Sequence, residues 1–226
     1  MLARGLRAVS DGGALVGAVI AFLLMNAAGL GGFIPLVVVF LLTLLATRWR
    51  DERKRSLGVA ERKKGRKSSQ VLANLGTAGL CAIAAAAFRQ QFHLLMVGSM
   101  AALAEAAADT VSSEVGQAVG TRPRMILSFD PAPVGTNGAI SIEGTLAGCI
   151  ASSIVAWTGS FFGVVAWGWS PVVTLAGIAG MFFDSILGAT FENRGKIGND
   201  TVNFVSTVFA ADLALLAALV VGNVRI

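Results

Sequence analysis

Several acidic residues of this chain recur at helical spacing inside apolar sequence, where a carboxylate is costly to place. Glu105 and Asp109 stand four residues apart in Ala-Glu105-Ala-Ala-Ala-Asp109-Thr-Val-Ser-Ser113-Glu114, so they share one helix face, and Ser112, Ser113 and Glu114 continue past it. Asp184, Gly188 and Glu192 repeat the spacing, Glu143 lies shortly inside another apolar run, and Asp200 opens the last one. Carboxylates at membrane depth face a bundle interior, pair with cations, or mark a functional path. Eight of the 13 acids (these seven and Asp130) fall toward one side of the membrane. Arg122, Arg124, Arg194 and Lys196 are placed to neutralise some of them. Carboxylates with helix N-termini and a few cations are also what Mg²⁺-nucleotide chemistry requires. Asp212 stands alone in mid-run, where a packing hydrogen bond explains it as well as a role does.

Three polar segments accompany these acids. Ser69–Thr77, Asn137–Thr145 and Asn199–Thr207 align without gaps, each following a loop and opening an apolar run. Asn137, Ser141 and Thr145 fall at i, i+4 and i+8, as do Asn199, Asn203 and Thr207, and each set is predicted on one helix face. The pattern reads as a helical hairpin repeated in parallel, weakest in its first copy. All three helix starts would present unpaired N–H groups and the positive end of a dipole to one interface, an arrangement that favours phosphate. Ser69, Asn137, Asn199 and Asp200 are also good N-cap types, which explains each singly but not their convergence.

The elements that must position these groups follow from composition. Of 226 residues, 55% are hydrophobic and only 14% charged, with 27 glycines and a mean hydropathy of +0.73. A soluble enzyme, a disordered chain and a nucleic-acid-binding domain are excluded, despite the net charge of +5. The expected fold is an all-α integral membrane protein. About seven spans are predicted, at Gly13–Gly29, Phe33–Thr47, Gln70–Phe88, Phe92–Thr110, Gly138–Thr158, Ser170–Ala189 and Thr201–Val221. Residues 1–226 form one transmembrane domain: two spans in 1–47, a basic loop over 48–69, and a five-span core over 70–226. Arg4 and Arg7 ahead of a short apolar core, then Asn26-Ala27-Ala28, also have the order of a signal peptide, but a retained first span is the reading taken. Ser160–Trp169 is too short to cross, and its tryptophans suit an interfacial connection.

Orientation follows from the cations. Arg48, Arg50, Arg53, Lys54, Arg55, Arg62, Lys63, Lys64, Arg66 and Lys67 crowd one loop. Putting that loop in the cytoplasm puts the N-terminus there and gathers 16 of 18 basic residues on that side, leaving Arg89 and Arg225 outside. The loop up to Lys64 reads as a topology signal that also attracts anionic membrane lipids. Arg66 and Lys67 stand apart, because they abut a helix start beside the polar cluster. Cys81 and Cys149 lie within apolar runs and indicate neither a disulfide nor a metal site. No Gly-Lys-Ser/Thr follows the glycines of Pro133-Val-Gly135-Thr136-Asn137-Gly138, so they do not form a Walker motif.

The segments Ala108–Gly116, Pro123-Arg124, Pro133–Thr145, Asp184–Ala189 and Asn199–Thr207, with Ser69–Asn74 after the basic loop, resemble one family. It comprises multi-pass membrane proteins that include plant and cyanobacterial phytyl-phosphate kinase and a poorly characterised animal transmembrane protein. The likeness runs from about Arg66 to Thr207; the first two spans match only in hydropathy. The resemblance implies phosphoryl transfer from a nucleoside triphosphate, CTP by preference, to an isoprenyl monophosphate such as phytyl phosphate. It places the lipid chain between spans and its head at the cytoplasmic face of a prokaryotic inner membrane or its equivalent. On that basis Asp109, Glu114, Asp184 and Asp200 are expected to hold Mg²⁺, with Asp109, Asp184 and Lys67 central to catalysis. Ser113, Thr136, Asn137, Gly138 and Asn199 are expected to bind phosphates. Arg124, Arg194 and Lys196 would supply positive charge, while Asn74, Ser141 and Asn203 line the cleft. A prenol kinase or a lipid cytidylyltransferase using the same cleft is the alternative within enzymes. A small-solute transporter is the alternative outside them, although a carrier needs polar access from both faces and the outside half offers little beyond Arg89, Gln90, Gln91 and His93.

Overall fold

The computed structural model of the protein describes residues 8–60 and 65–222. Arg4, Arg7, Arg62, Lys63, Lys64 and Arg225, counted above among the topology-setting cations, lie outside the described residues. The helices are α1 (Asp11–Arg48), α2 (Asp51–Ser56), α3 (Ser68–Ala87), α4 (Phe92–Val119), α5 (Ile142–Phe161), α6 (Ser170–Leu187) and α7 (Asn199–Gly222). A two-stranded antiparallel ribbon, β1 (Arg124–Met125) with β2 (Ala139–Ile140), closes the α4–α5 connection.

Among the described residues six helical elements are long and apolar enough to cross a membrane, and the first of them is two predicted spans in one. Helix α1 runs for 38 residues but folds back on itself at Ala28 and Gly29, which leave the helical region. Gly29 has φ +60°, a conformation that excludes most side chains. A Cβ on Gly32 would sit 2.4 Å from the carbonyl oxygen of Leu24. Residues eight apart in a straight helix are about 12 Å apart along its axis, so the two arms are antiparallel and touch at the turn. Seven helical arms therefore correspond to the seven predicted spans.

Other boundaries move in ways that matter for the site. The predicted span Phe92–Thr110 continues as α4 to Val119, so Ser112, Ser113 and Glu114 are on the helix rather than past it. The predicted span from Gly138 begins only at Ile142, with Ser141 as its N-cap accepting from Gly144 N at 3.1 Å. Asn137 and Gly138 thus belong to the ribbon connection, and the predicted common helix face of Asn137, Ser141 and Thr145 does not form. Gly138 sits at φ +76°, a value a β-ribbon turn supplies and a helix does not. Helix α6 ends at Leu187 and passes into a π-helical turn over Gly188–Glu192. The Ser160–Trp169 stretch is a tight connection at the far end, where Val164 and Val165 are buried and Gly31 approaches the Phe162 carbonyl.

Helix α4 is the axis of the molecule. Its segment Ala101–Ala108 is fully buried, and its run of alanines lets neighbouring helices approach closely. A Cβ on Gly177 of α6 would lie 2.9 Å from Ala104 Cβ, and one on Gly148 of α5 2.9 Å from the Ala108 carbonyl oxygen. Small side chains on both partners thus replace the hydrophobic driving force that lipid denies to helix pairs.

Candidate functional site

Because α4 packs against α6 and α7 through small residues, its acids meet theirs. A cavity of about 320 Å³ opens where the C-terminal ends of α4 and α6 meet the N-terminal ends of α3 and α7, with the ribbon connection as its far wall. Asp109 of α4 and Asp184 of α6 both line it, half-buried. Asn203 of α7, with its amide turned to satisfy its neighbours, donates to Asp184 Oδ2 at 3.2 Å and accepts from Asn74 Nδ2 of α3 at 3.0 Å. Asn74 therefore reaches Asp184 through Asn203, which ties α3, α7 and α6 together at the floor of the cavity. Ser206 Oγ lies 3.3 Å from Asp184 Oδ2. One turn further along α7, Thr207 bonds Thr77 of α3 at 2.8 Å. Thr77 and Thr207 hold the same position in the aligned polar segments, so two copies of the motif meet face to face.

Asp109 lies close enough to Arg66, Glu192, Asp184 and Glu105 for charge on it and on them to interact. Glu105, one turn deeper, is 1% exposed, and its Oε1 has no hydrogen-bond partner. Arg66 owes its place to backbone pairing. Its N–H donates to the Ala8 carbonyl at 3.1 Å and its carbonyl accepts from Ser10 N at 2.9 Å, which holds the segment extended. Successive side chains on extended backbone point to opposite faces, so Arg66 lines the cavity and Lys67, the N-cap of α3, is exposed.

Of the residues singled out from sequence, Asn74, Asp109, Ser113, Glu114, Thr136, Asn137, Gly138, Ser141, Asp184, Asn199 and Asn203 line this cavity. Lys67, Arg124, Arg194, Lys196 and Asp200 do not. Arg124 is exposed and donates to the Phe129 carbonyl at 2.7 Å, bracing its own loop. Arg194 and Lys196 are exposed on the loop after the π-helical turn. That loop holds the far wall through Asn193 Nδ2, which donates to the Asn137 carbonyl at 2.9 Å. The metal role expected of Glu114 gives way to an ion pair. Its Oε2 accepts from Lys54 Nζ at 2.5 Å and its Oε1 from the Thr47 hydroxyl at 3.0 Å. Lys54, read from sequence as part of a solvated basic loop, is fully buried and also donates to the Ala46 and Thr47 carbonyls. Arg66, Gln70, Ser112, Gln117, Ser185 and Glu192 are further polar residues of the lining. For Gln70 the sequence signal was its place in the first polar segment, and for Ser185 and Glu192 their spacing from Asp184.

Two half-buried carboxylates, one of them held by a chain of two amides, in a polar chamber at one end of an apolar helical bundle, define a multi-pass membrane protein with a polar interfacial site. The chain belongs to the DUF92 family of integral membrane proteins, which it matches over residues 1–211. It is 34% identical over 201 residues to Protein VTE6, chloroplastic, of Arabidopsis thaliana, an alignment covering 84% of this chain and 60% of that one. It is 32% identical over 200 residues to an uncharacterized membrane protein of Synechocystis, covering 87% and 78% of the two chains. A membrane protein of Methanocaldococcus jannaschii is 32% identical over 213 residues, covering 93% and 86%. No solved structure matches.

Proposed function

We propose that the protein is a membrane phosphotransferase that moves the γ-phosphoryl group of a nucleoside triphosphate, CTP by preference, onto an isoprenyl monophosphate. The observation that carries this reading is the presence of Asp109 and Asp184 together in the lining of one polar cavity at the end of a membrane bundle. The likeness of the motif segments to phytyl-phosphate kinases supports the acceptor class, and the relationship to VTE6 fits it.

In the reaction a lipid phosphate oxygen attacks the γ-phosphorus, and the bond from that phosphorus to the β–γ bridging oxygen breaks. The products are an isoprenyl diphosphate and a nucleoside diphosphate. A phosphate monoester is largely dianionic at pH 7, since its second pKa is about 6, so the nucleophile needs no strong general base. The chain's work is positioning and charge neutralisation. Arg66 brings positive charge to the mouth, Asn199 and the N-terminus of α7 offer donors to phosphate oxygens, and Asn203 fixes the Asp184 carboxylate. Among the described residues no three His, Cys, Asp or Glu side chains form a metal site by themselves. Mg²⁺ that arrives on nucleotide phosphates needs only one or two carboxylates, and this donor set fits it. Asp109 and Asp184 would hold the ion, which when bound neutralises charge developing on the phosphates. The excess of cations at this end supports a cytoplasmic orientation of the site by the positive-inside rule. Arg48, Arg50 and Arg53 would draw anionic lipids there, whereas buried Lys54 contributes nothing to that attraction.

The test is γ-labelled CTP or ATP supplied with Mg²⁺ to purified protein in nanodiscs, against prenol, prenyl monophosphate and phosphatidate. Label is expected in the prenyl diphosphate, more from CTP than from ATP. Label entering prenol would instead select the alcohol-kinase alternative, and no label in any lipid overturns phosphoryl transfer. Asp109→Asn and Asp184→Asn are each expected to lower the rate about 100-fold or more while the protein stays folded. Full activity in both would remove the two carboxylates from the mechanism.

A further inference from the structure

A second cavity, of about 530 Å³, lies between the two arms of α1 and the start of α3. Apart from Thr43, Thr47 and three residues of α3 and the segment before it, its lining is Gly, Ala, Val, Leu and Phe. Those three residues, Arg66, Gln70 and Asn74, also line the polar cavity. The two chambers therefore share a wall in which a guanidinium and two amides separate an apolar slot from the Asp109–Asp184 pair. Both volumes lie in the range of small-molecule sites, about 300–1,000 Å³. The slot exists because α1 doubles back at Gly29: its arms meet at the turn, and both line the slot nearer their open ends.

We infer that this slot holds the isoprenyl chain of the acceptor, with its phosphate at Arg66, Gln70 and Asn74 and its reactive oxygen turned toward Asp109 and Asp184. The inference rests on the phosphotransferase reading and adds to it a path for the lipid. A long apolar chain with one anionic head matches an apolar slot that ends at a cation and amides. A free nucleotide or a soluble solute has no use for such a slot. The α1 hairpin, which lies within the family match, thus becomes the part that measures chain length. Gly17 is the point at which to probe it. It lines the slot, and a Cβ there would meet nothing closer than Val71 Cγ1 at 4.0 Å, so a larger side chain enters open space.

Two measurements decide the matter. In Gly17→Leu, the ratio of kcat/KM for phytyl monophosphate over isopentenyl monophosphate is expected to fall about tenfold or more, which is within reach of a few displaced methylenes. An unchanged ratio in an active variant overturns the inference while leaving phosphoryl transfer intact. The second measurement needs no activity and no variant: the unmodified protein in nanodiscs is photolysed with an isoprenyl monophosphate carrying a diazirine at the chain end. Peptides from 13–21 and 33–44 are expected to carry the label, and competition by unlabelled phytyl monophosphate to remove it. Labelling elsewhere overturns the inference, as does equal labelling of these peptides by a diazirine-tailed phosphatidylcholine. If the protein transfers no phosphoryl group to any isoprenyl phosphate, the kinase reading fails by itself, and the label pattern still decides whether the slot takes the chain.

Discussion

Lys54 and Glu114 illustrate how one side chain changes meaning once its surroundings are known. A lysine in a run of ten cations reads as solvated, yet its ammonium caps the carbonyls of Ala46 and Thr47 at the end of α1 and pairs with Glu114 of α4. Both partners are buried, the Lys54 side chain at 1% and that of Glu114 at 11% exposure. Removing one member strands the other charge, which typically costs about 3–5 kcal/mol. Lys54→Met is therefore expected to lower the unfolding temperature strongly in detergent, and a second change, Glu114→Gln, to recover part of the loss. Additive losses would show that the two groups are not coupled. The amide chain makes a comparable prediction for activity. Asn74 acts on Asp184 only through Asn203, so Asn74→Ala and Asn203→Ala are expected to slow the reaction non-additively, the double variant resembling Asn203→Ala alone. Rates measured on all four proteins check it.

Among the elements, the ribbon connection depends on one glycine. Gly138 packs so tightly on the end of α6 that a Cβ there would lie 2.5 Å from Ala189 N and 2.6 Å from the Ser185 carbonyl oxygen. Gly138→Val is expected to lift the ribbon from the π-helical turn and widen the cavity on the ribbon side, where the proposed nucleotide would sit. The expected reading is a nucleotide KM raised about tenfold or more with less change in kcat, together with new protease cleavage between 126 and 138. An unchanged KM would mean that the ribbon is no wall of the site. The repeated polar segments also resolve at this scale. Asn199, Asn203 and Thr207 open a helix as their spacing predicts, and Ser69–Thr77 lies wholly on α3, but Asn137–Thr145 does not lie on one helix. Ser141 is an N-cap, and the residues before it bend through Gly138 into a strand. Backbone that must turn against α6 outweighs the local helical spacing.

For the molecule as a whole, cavity and cations share one end, so membrane orientation is a direct test of the functional reading. With Cys81 and Cys149 replaced by Ala, Ser128→Cys on the ribbon connection and Gln90→Cys at the far end of α3 sit at opposite ends of the bundle. A membrane-impermeant maleimide added to right-side-out vesicles is expected to label the Gln90→Cys protein only, and the Ser128→Cys protein only after permeabilisation. The reverse pattern would put the site outside the cell. The sequence alone specified the helical membrane class, the approximate spans and most of the polar residues of the cavity lining. Span length is set by bilayer thickness, and acids inside apolar helices have few places to go. It did not determine which cation reaches the site, because Arg66 and Lys67 differ only in which side of an extended backbone they occupy. Nor could it separate Lys54 from its solvated neighbours. Pairing of Arg66 with Ala8 and Ser10, and the seating of α3 against the slot between the arms of α1, join segments far apart in the chain. Tertiary packing alone decided them, since only contact between distant segments turns a basic loop and two apolar runs into a wall with a polar and an apolar side.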